Sequence, residues 1–358
     1  MKESIQMSGS VKHNHVEGPL VSFCITCYNQ ERYIGDALSG AFAQTYRPIE
    51  IVISDDCSTD NTQSIIEKKI AEYRDRGGDC AVIFHRNERN LGNLGNWLGF
   101  GRLAHGAILV KADGDDISLP ERTEKVVAAW MREGMSARCI SHRAIRIDRN
   151  GRSLGHLGST ASGMNWGSSC AYRRDCWSEF DVNESLNHDA IDDVVFSQRV
   201  KLLASVDAQG EMVIPDRLVY YRTGAGLTNS TLDYRRAVLK MWKATVNTAE
   251  NILADLECAE RKWPCQSLAK MRSEVEATFT RATQYMSLLY GGSIKERYSA
   301  YKNIHESNLL GRILNVIYLL PDWLTCYPLN LYEWMRRFSW LILNGEKLLT
   351  PDFPPRKN

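Results

Sequence analysis

The sequence contains no run of about 18 uninterrupted apolar residues, the length that a helix needs to cross a bilayer. Its longest candidate, Leu309–Leu320, is shorter and includes Gly311, Arg312 and Asn315. Residues 1–18 are largely polar and lack the apolar core of a signal peptide, so we predict a disordered leader there. The compartment expected from the cysteines, which do not form a disulfide framework, is the reducing cytoplasm.

The sequence also lacks an excess of charge of either sign. Its 44 basic and 43 acidic residues leave a net charge of +1, whereas a dedicated nucleic-acid binder usually carries a basic surplus. We therefore expect no nucleic-acid partner. The ten cysteines do not indicate a disulfide scaffold in a chain of 358 residues. Cys24 and Cys27 form a C-x-x-C pair, but in a strand they point to opposite faces, which favours core residues over a redox motif.

The chain up to about residue 230 alternates short apolar runs with helical patterns. Strands are predicted at Val21–Cys27, Ile49–Ser54, Ala81–His85 and Ala107–Lys111. Helices are predicted at Gln30–Ala43, Ser58–Tyr73, Leu91–Leu103, Glu121–Arg132 and Val194–Leu203, with mixed strand and loop between the last two. Strands separated by such helices indicate parallel β-α-β units, so we predict an α/β domain with a mostly parallel, helix-covered sheet.

After about residue 231 the pattern is helical. Two apolar stripes with steps of three and four, Leu239–Leu256 and Leu268–Leu289, flank Trp263-Pro264 and predict an antiparallel helical hairpin. Such a hairpin could pack within the chain or join two copies of it. Farther along, aromatic and aliphatic residues crowd Leu314–Leu343 beside basic ones. This segment could be a small helical core, a dimer contact, or a surface that lies on the headgroup region of a membrane.

Two acidic clusters follow predicted strands. Asp55, Asp56 and Asp60 follow the second strand, and Asp113–Asp116 follows the fourth. Ligands of open α/β sheets bind beyond the carboxyl ends of the strands. Neighbouring carboxylates repel one another unless a cation is present, and hard oxygen ligands suit Mg²⁺ or Mn²⁺. Either cluster alone could be a capped, solvated loop, but two at adjacent strand ends favour a binding site.

Other local patterns carry less information. Asp189, Asp192 and Asp193 open a predicted helix, where acidic residues commonly complement the helix dipole. The glycines between Gly92 and Gly101 do not have the G-x-G-x-x-G spacing, and we interpret them as sites of close helix packing. Ser168 follows a glycine but lacks the second glycine of a nucleophile elbow.

Six motifs in order resemble the family 2 glycosyltransferases, which have the GT-A fold. The matching segments are Val21–Asn29, Gln44–Tyr46, Asp55–Thr62, Asn90–Asn96, Asp113–Asp116 and Asp192–Arg199. The resemblance implies a Rossmann-like GT-A domain over residues 19–230, followed by a helical C-terminal region at 231–358. Cys57 stands where the family commonly has glycine, Asp192 where it commonly has glutamate, and a usual histidine after Tyr221-Arg222 is absent.

The resemblance also implies residue roles. Thr26, Tyr28 and Asp56 would hold the base of a nucleotide, with Tyr28 stacking on it and Asp56 accepting the N3–H of a uracil-like ring. Asp113 would contact the ribose. The other residues that the resemblance places at the nucleotide are Asn29 and Asn90.

For the reaction, Asp115 would bind the metal that bridges the diphosphate, with Asp116 sharing that work, and Asp193 would be the general base on an acceptor hydroxyl. Candidates for the acceptor side or a closing lid are Trp166, Asp192, Arg199, Arg222 and Thr228. Trp166 could equally be a buried core residue, and the glycine-containing segment before Thr228 could be a plain turn rather than a lid.

The expected function is therefore inverting transfer of a sugar from a UDP- or dTDP-sugar to an acceptor hydroxyl, with Mn²⁺ or Mg²⁺. The resemblance further suggests bacterial surface polysaccharide assembly on a glycan or lipid-linked acceptor, at the inner face of the cytoplasmic membrane. Two alternatives stay open. A nucleotidyltransferase would need a basic glycine-rich loop, and none precedes Tyr28; a sugar-nucleotide or glycan-binding module would not need a base at Asp193.

Overall fold

The computed structural model describes residues 18–156, 167–181, 189–223 and 234–290. The chain divides into two compact units, one made of Met1–Asn229 with Glu250–Arg272 and the other of Ser230–Ala249 with Ser273–Asn358. Several sequence-based predictions concern residues outside the described ranges. They are the leader before Gly18, the lid and acceptor candidates Trp166 and Thr228, and the aromatic segment Leu314–Leu343.

The described part of the first unit contains one sheet with helices on it. The strands are β1 (Val21–Cys27), β2 (Ile49–Asp55), β3 (Ala81–Arg86), β4 (Ile108–Asp113), β5 (Ile117–Ser118), β6 (Cys139–Ile147), β7 (Ser153–His156), β8 (Cys170–Arg173) and β9 (Glu211–Arg222). The helices are α1 (Ile34–Phe42), α2 (Thr62–Asp75), α3 (Gly92–Leu103), α4 (Arg122–Arg132), α5 (Asp175–Ser178) and α6 (Asp192–Asp207). The sheet order is β3-β2-β1-β4-β8-β6-β9-β5, with β7 paired to β6.

The half of the sheet formed by β3, β2, β1 and β4 is parallel. Its central strands are almost wholly buried, as expected for a parallel sheet that helices cover on both sides. One face packs on α1, α2 and α4. The other face carries a cluster of buried aromatic rings from α3, β8, α5 and α6, namely Trp97, Phe100, Tyr172, Trp177 and Phe196. The predicted helix-covered parallel sheet is confirmed.

The other half of the sheet is mixed. Strand β8 runs antiparallel to β4 and β6, and β9 runs parallel to β6. A short 3₁₀ turn, Gly167–Ser169, leads into β8. Because β8 lies beside β4, this turn comes close to the carboxyl end of β4.

Several observed boundaries differ from the predicted ones, and three of them have a clear physical reason or a large shift. Strand β4 continues to Asp113, which pairs in register with Thr26 of β1; its side chain bonds polar groups, so the apolar pattern ended too early to mark it. Helix α1 begins at Ile34 rather than Gln30, and α2 begins at Thr62 rather than Ser58. Before α2 the Asp60 carboxylate accepts hydrogen bonds from the backbone and hydroxyl of Thr62, and such local bonds compete with helix formation.

The cysteines of the C-x-x-C pair are core residues, as predicted. Cys24 is 0% exposed and Cys27 is 3% exposed, and both are free thiols. Burial raises the pKa of each thiol well above its ordinary value, which is the opposite of what a reactive thiolate requires.

Two long helices follow the sheet, α7 (Tyr234–Lys262) and α8 (Gln266–Tyr290). The break between them falls at Trp263-Pro264, where the sequence predicts it, and an ion pair between Arg272 of α8 and Glu260 of α7 spans the break. In the described ranges no helix combines the length and the apolar character that a membrane span requires.

A buried ion pair attaches α7 to the sheet domain. The Arg199 guanidinium of α6 donates two hydrogen bonds to the Asp255 carboxylate of α7, at 2.7 and 2.9 Å. The two side chains are 4% and 6% exposed. The guanidinium also lies 4.8 Å from the ring centroid of Phe180. Arg199 is thus engaged in packing two helices together, away from the carboxylates at the strand ends.

We expect Asp255→Ala to destabilise the fold by about 3–5 kcal/mol, because it leaves the Arg199 guanidinium buried without a counter-charge. Urea unfolding followed by tryptophan fluorescence measures this. The matched control is Asp181→Ala, which removes the partner of Arg261 in an ion pair whose side chains are 65% and 70% exposed; it should cost no more than about 1 kcal/mol. Equal effects of the two substitutions would contradict a structural role for the buried pair.

Candidate active site

The carboxyl ends of β1, β2 and β4 bring the predicted nucleotide residues to one edge of the sheet. Thr26 donates a hydrogen bond from Oγ1 to Asp113 Oδ1 at 3.0 Å. The backbone N–H of Gly114 bonds the carbonyl of Thr26, and that of Asp56 bonds the carbonyl of Cys27. Parallel strands end at a common edge, so residues far apart in sequence meet there.

Asp56 lies at the N-terminus of α3. Its Oδ1 accepts hydrogen bonds from the backbone of Leu91 and the amide of Asn87, both at 2.8 Å, and its Oδ2 accepts one from the backbone of Gly92 at 2.9 Å. A carboxylate here complements the positive end of the helix. Since a carboxylate can accept about four hydrogen bonds, Oδ2 retains capacity for one further donor.

Asn29 and Asn90 hold loops beside this pocket. Asn29 has a φ of 51°, and its Oδ1 accepts the backbone N–H of Thr59 at 2.8 Å. Asn90 is exposed, and its Oδ1 accepts the backbone N–H of Gly92 at 3.1 Å. The amide nitrogen of Asn90 donates to the backbone carbonyl of Asp56 at 3.4 Å, so both asparagines hold the loops around Asp56. Tyr28, half-buried, follows β1 at the same edge.

The loop after β4 buries two adjacent carboxylates. Asp115 is 9% exposed and Asp116 is 3% exposed. Asp116 Oδ1 accepts the backbone N–H of Arg222 at 2.7 Å, whereas its Oδ2 is buried and has no hydrogen-bond partner among the residues that the structure describes. Burial, followed by repulsion from Asp113, raises the pKa of Asp115 to about 6. Burial and the charges of Asp115 and Asp113 raise the pKa of Asp116 as well.

These properties fit a divalent cation at Asp115 and Asp116. A buried carboxylate oxygen with no partner, next to a second carboxylate of raised pKa, is stabilised when a cation neutralises both. Within the described ranges, no group of three His, Cys, Asp or Glu side chains forms a ready-made metal cage. Mg²⁺ and Mn²⁺ commonly bind through one or two carboxylates together with substrate phosphates, so two carboxylates suffice.

Close contacts require glycine at position 114, between Asp113 and Asp115. A Cβ added to Gly114 would lie 2.2 Å from Gln30 Oε1 and 2.9 Å from the Cβ of Cys27. Only glycine therefore lets the loop fold down on β1 with its carboxylates at the sheet edge.

Arg222 holds the loop Asp113–Asp116, called the acidic loop below, in place. Its backbone bonds Asp116, and its Nε donates to the carbonyl of Asp115 at 2.8 Å. The guanidinium also pairs with Asp36 at 3.2 Å and lies 4.7 Å from the ring centroid of Tyr33. The side chain is 3% exposed. Arg222, which the sequence suggested as a lid or phosphate contact, is thus held by protein groups in this structure.

Lys111, which the sequence analysis did not single out, forms ion pairs with the carboxylates of Asp113, Asp192 and Asp193. Lys111 of β4 has its Nζ 2.9 Å from Asp192 Oδ2, 3.2 Å from Asp193 Oδ1 and 3.4 Å from Asp113 Oδ1. The lysine side chain is 3% exposed, and that of Asp192 is 9% exposed. Asp193 is 25% exposed, so of the two acidic residues at the start of α6 it is the one that can meet a ligand.

The turn before β8 completes this cluster. The backbone N–H of Gly167 donates to Asp193 Oδ2 at 2.9 Å. The Ser168 hydroxyl donates to Asp113 Oδ2 at 3.0 Å and accepts the backbone N–H of Asp113 at 2.9 Å. A Cβ on Gly167 would lie 2.4 Å from Lys111 Nζ. Sequence reasoning considered this turn as a nucleophile elbow, which it rejected, and as the neighbour of the acceptor candidate Trp166. Nothing in the local pattern marks the contacts with Asp113 and Asp193.

The environment of Asp193 suits proton transfer near neutral pH. Burial raises the pKa of Asp193 to about 7, while Lys111 opposes that shift and Asp192 and Asp113 add to it. A general base is most effective when its pKa lies close to the working pH. The predicted base, the predicted ribose contact Asp113 and the acidic loop therefore share one edge of the sheet.

We expect Asp116→Asn to stabilise the protein in metal-free buffer by about 1 kcal/mol, because it removes like-charge repulsion while the side-chain oxygen can still accept the bond from Arg222. The same change should weaken the stabilisation that added Mn²⁺ produces. Thermal unfolding with and without Mn²⁺ measures both effects. Asp216→Asn, at an exposed pair with Lys125, is the control; an undiminished response of Asp116→Asn to Mn²⁺ would contradict the assignment.

A family model and several curated proteins match part of this chain. The model of "Glycosyl transferase family 2" matches residues 22–180. A Bacillus subtilis protein described as the glycosyltransferase EpsE is 36% identical over 112 residues, 31% of this chain and 38% of its own length. The chondroitin synthase of Escherichia coli is 30% identical over 148 residues, 41% of this chain and 20% of its own length. The chain thus spans less than half the length of these curated relatives.

Among solved structures, residues 1–349 of TarS from S. aureus align with 91% of this chain and 92% of their own, at 19% identity and a TM-score of 0.49. The matched segment begins within β1 and ends after α5, so it contains Thr26, Asp56 and the acidic loop. Residues 22–180 of this chain therefore match a family 2 glycosyl transferase model.

Proposed function

We propose that this domain transfers a sugar from a UDP- or dTDP-sugar to an acceptor hydroxyl, with inversion at the anomeric carbon and Asp193 as the general base. One observation carries the proposal. The partly exposed Asp193 carboxylate, with a pKa of about 7, lies in one ionic cluster with Asp113, at the end of the strand that continues into the acidic loop. An inverting displacement needs one base facing the acceptor and charge stabilisation at the leaving group.

Asp193 is held in a defined direction for this step. Its Oδ2 receives the N–H of Gly167 and its Oδ1 contacts Lys111. Both oxygens keep a further lone pair, because a carboxylate can accept about four hydrogen bonds. The acceptor hydroxyl would donate to one of these oxygens and lose its proton to it as the new glycosidic bond forms. Asp192 is the weaker candidate, since its side chain is buried against Lys111.

The acidic loop would serve the leaving group. Asp115 and Asp116 would hold Mn²⁺ or Mg²⁺, which when bound supplies positive charge to the diphosphate. Asp113 faces Thr26 and Ser168 and would contact the ribose, because its oxygens lie at the same edge as the base pocket. Arg222 would keep the loop in place through its bonds to Asp115 and Asp116.

Asp56 and Tyr28 would bind the base. Asp56 is 3% exposed, and its Oδ2 can accept one further hydrogen bond beyond the one from Gly92. The N3–H of uracil or thymine supplies that bond, and Tyr28 at the end of β1 offers a ring to stack on the base. The segment Tyr28–Tyr33 contains no glycine, so it does not provide the phosphate loop that a nucleotidyltransferase would need there.

For the acceptor, we propose only a chemical class. We place the enzyme in the assembly of a bacterial surface polysaccharide on a glycan or lipid-linked acceptor, at the inner face of the cytoplasmic membrane. The relative that is named a chondroitin synthase agrees with a glycan product.

Replacing the general base Asp193 should stop sugar transfer while the protein still binds the nucleotide. We expect Asp193→Asn to lower kcat by about 10²–10⁴-fold, while the affinity for UDP with Mn²⁺, measured by calorimetry, stays within about threefold. The asparagine keeps the contact with the Gly167 N–H but cannot accept a proton. Asp189→Asn, an exposed residue just before the same helix, is the control for charge. Near-normal turnover by folded Asp193→Asn would exclude Asp193 as the base.

The proposed base-binding role of Asp56 predicts which nucleotide binds more tightly. UDP should compete with the sugar donor at least about tenfold more strongly than CDP, because cytosine presents an N3 acceptor to the Asp56 carboxylate and a lost hydrogen bond to a charged group is worth about 1.5–3 kcal/mol. Inhibition constants measured at one Mn²⁺ concentration test this. The two nucleotides carry the same diphosphate and ribose, so each controls for the other. Equal inhibition would remove Asp56 from this role.

A further inference from the structure

The ammonium group of Lys111 lies at the centre of three carboxylates from two distant parts of the chain. It contacts Asp113, at its own end of β4, and both Asp192 and Asp193 at the start of α6, at distances from 2.9 to 3.4 Å. A lysine that is 3% exposed is stable as a cation only when its charge is compensated. Its three partners supply that compensation and raise the pKa of Lys111 well above the ordinary value.

The surroundings leave the ammonium little freedom. On one side it lies 5.7 Å from the ring centroid of Trp97, a fully buried residue of the aromatic cluster. On the other side is Gly167, whose missing Cβ makes the space that the ammonium occupies; an added Cβ would lie 2.4 Å from Nζ. The ammonium therefore lies in close contact with Gly167 and near the Trp97 ring, where its three carboxylate partners hold it.

We propose that Lys111 is a positioning residue for the transfer: its ammonium holds the Asp193 carboxylate in its catalytic direction and ties it to Asp113 on the side of the sugar donor. The inference rests on the proposed function, because it assumes that Asp193 is the base. The mechanism is ionic and geometric. Lys111 contacts Asp193 Oδ1, the backbone of Gly167 fixes Oδ2, and together they leave one orientation for the carboxylate.

The same contacts give the base its ionisation state. The groups that act on Asp193 are Lys111 from β4, Asp192 from its own helix, Asp113 from β4, and the backbone of Gly167. Tyr172 of β8 and Tyr221 of β9 also interact electrostatically with it. Burial and the two carboxylates favour protonated Asp193, and Lys111 opposes them. Removing the ammonium should raise the pKa of Asp193, whereas removing the Asp192 charge should lower it.

The test is the pH profile of kcat/KM for the full chain and three variants. The acid limb of the wild type should lie near pH 7, as the pKa of about 7 for Asp193 requires. Lys111→Met keeps the length and the apolar stem of lysine. It should move the acid limb to higher pH by about one unit or more. The substitution should therefore lower activity at pH 6 at least about tenfold more than activity at pH 9. Asp192→Asn should move the limb to lower pH.

Gly167→Ala tests position separately from charge. It keeps every charged group and places a Cβ where the ammonium lies. It should move the limb in the same direction as Lys111→Met, with a small cost in stability, because the atoms that it displaces are the ends of flexible side chains. Gly99→Ala, a helical glycine with nothing within 4 Å of the added Cβ, is the matched control and should keep the wild-type profile. Thermal unfolding and UDP affinity identify folded variants.

The outcomes separate this inference from the proposed function. If Asp193→Asn is inactive but folded Lys111→Met and Gly167→Ala keep the wild-type limb, Lys111 is only a structural residue and the inference fails while the base assignment stands. If Asp193→Asn retains activity, the base assignment itself fails. Should Lys111→Met not fold, Gly167→Ala still decides the question, because it displaces the ammonium while keeping its charge; a wild-type limb in the folded Gly167→Ala protein would overturn the inference.

Discussion

Like-charge repulsion is the constraint on which the rest of this structure depends. Three segments bring carboxylates to one edge of the sheet, and most of these side chains are buried. The protein offsets the repulsion with cations that are buried as well. Lys111 compensates Asp113 and the start of α6, and Arg222 binds the loop of Asp115 and Asp116.

A third buried cation lies below this edge. Arg122 is 0% exposed, and its guanidinium bonds His142, Ser118 and the carbonyl of Lys111. Burial lowers its pKa to about 10, which still leaves it charged at neutral pH. A fourth bond goes to the carbonyl of Cys170. This buried positive charge favours the ionised forms of Asp113 and Asp116, although none of its four bonds is to a carboxylate.

The compensation is incomplete at one place, and that place is where a ligand is expected. Within the described part of the chain, one oxygen of Asp116 has no hydrogen-bond partner, and the pKa values of Asp115 and Asp116 are raised. Functional sites often retain such unrelieved electrostatic strain, because the ligand relieves it on binding. A divalent cation held by these two carboxylates would supply the positive charge that the protein alone does not.

The sequence by itself determined the strands of the parallel half, the covering helices, the break between α7 and α8, and the acidic residues at the strand ends. Each of these depends on local periodicity or on motif order, which a single chain displays directly. Strand β4 already showed the limit of that information, because Asp113 belongs to it through pairing with Thr26 rather than through an apolar pattern.

Only the tertiary structure decided which charged residues meet. Arg199 belongs to a motif that pointed to the acceptor side, yet it pairs with Asp255 on α7. Lys111 looked like the last residue of a strand, yet it joins Asp113 to Asp193. Ion pairs between residues more than 50 positions apart leave no periodic trace in the sequence, because their partners are set by how the sheet and helices pack and not by neighbours along the chain.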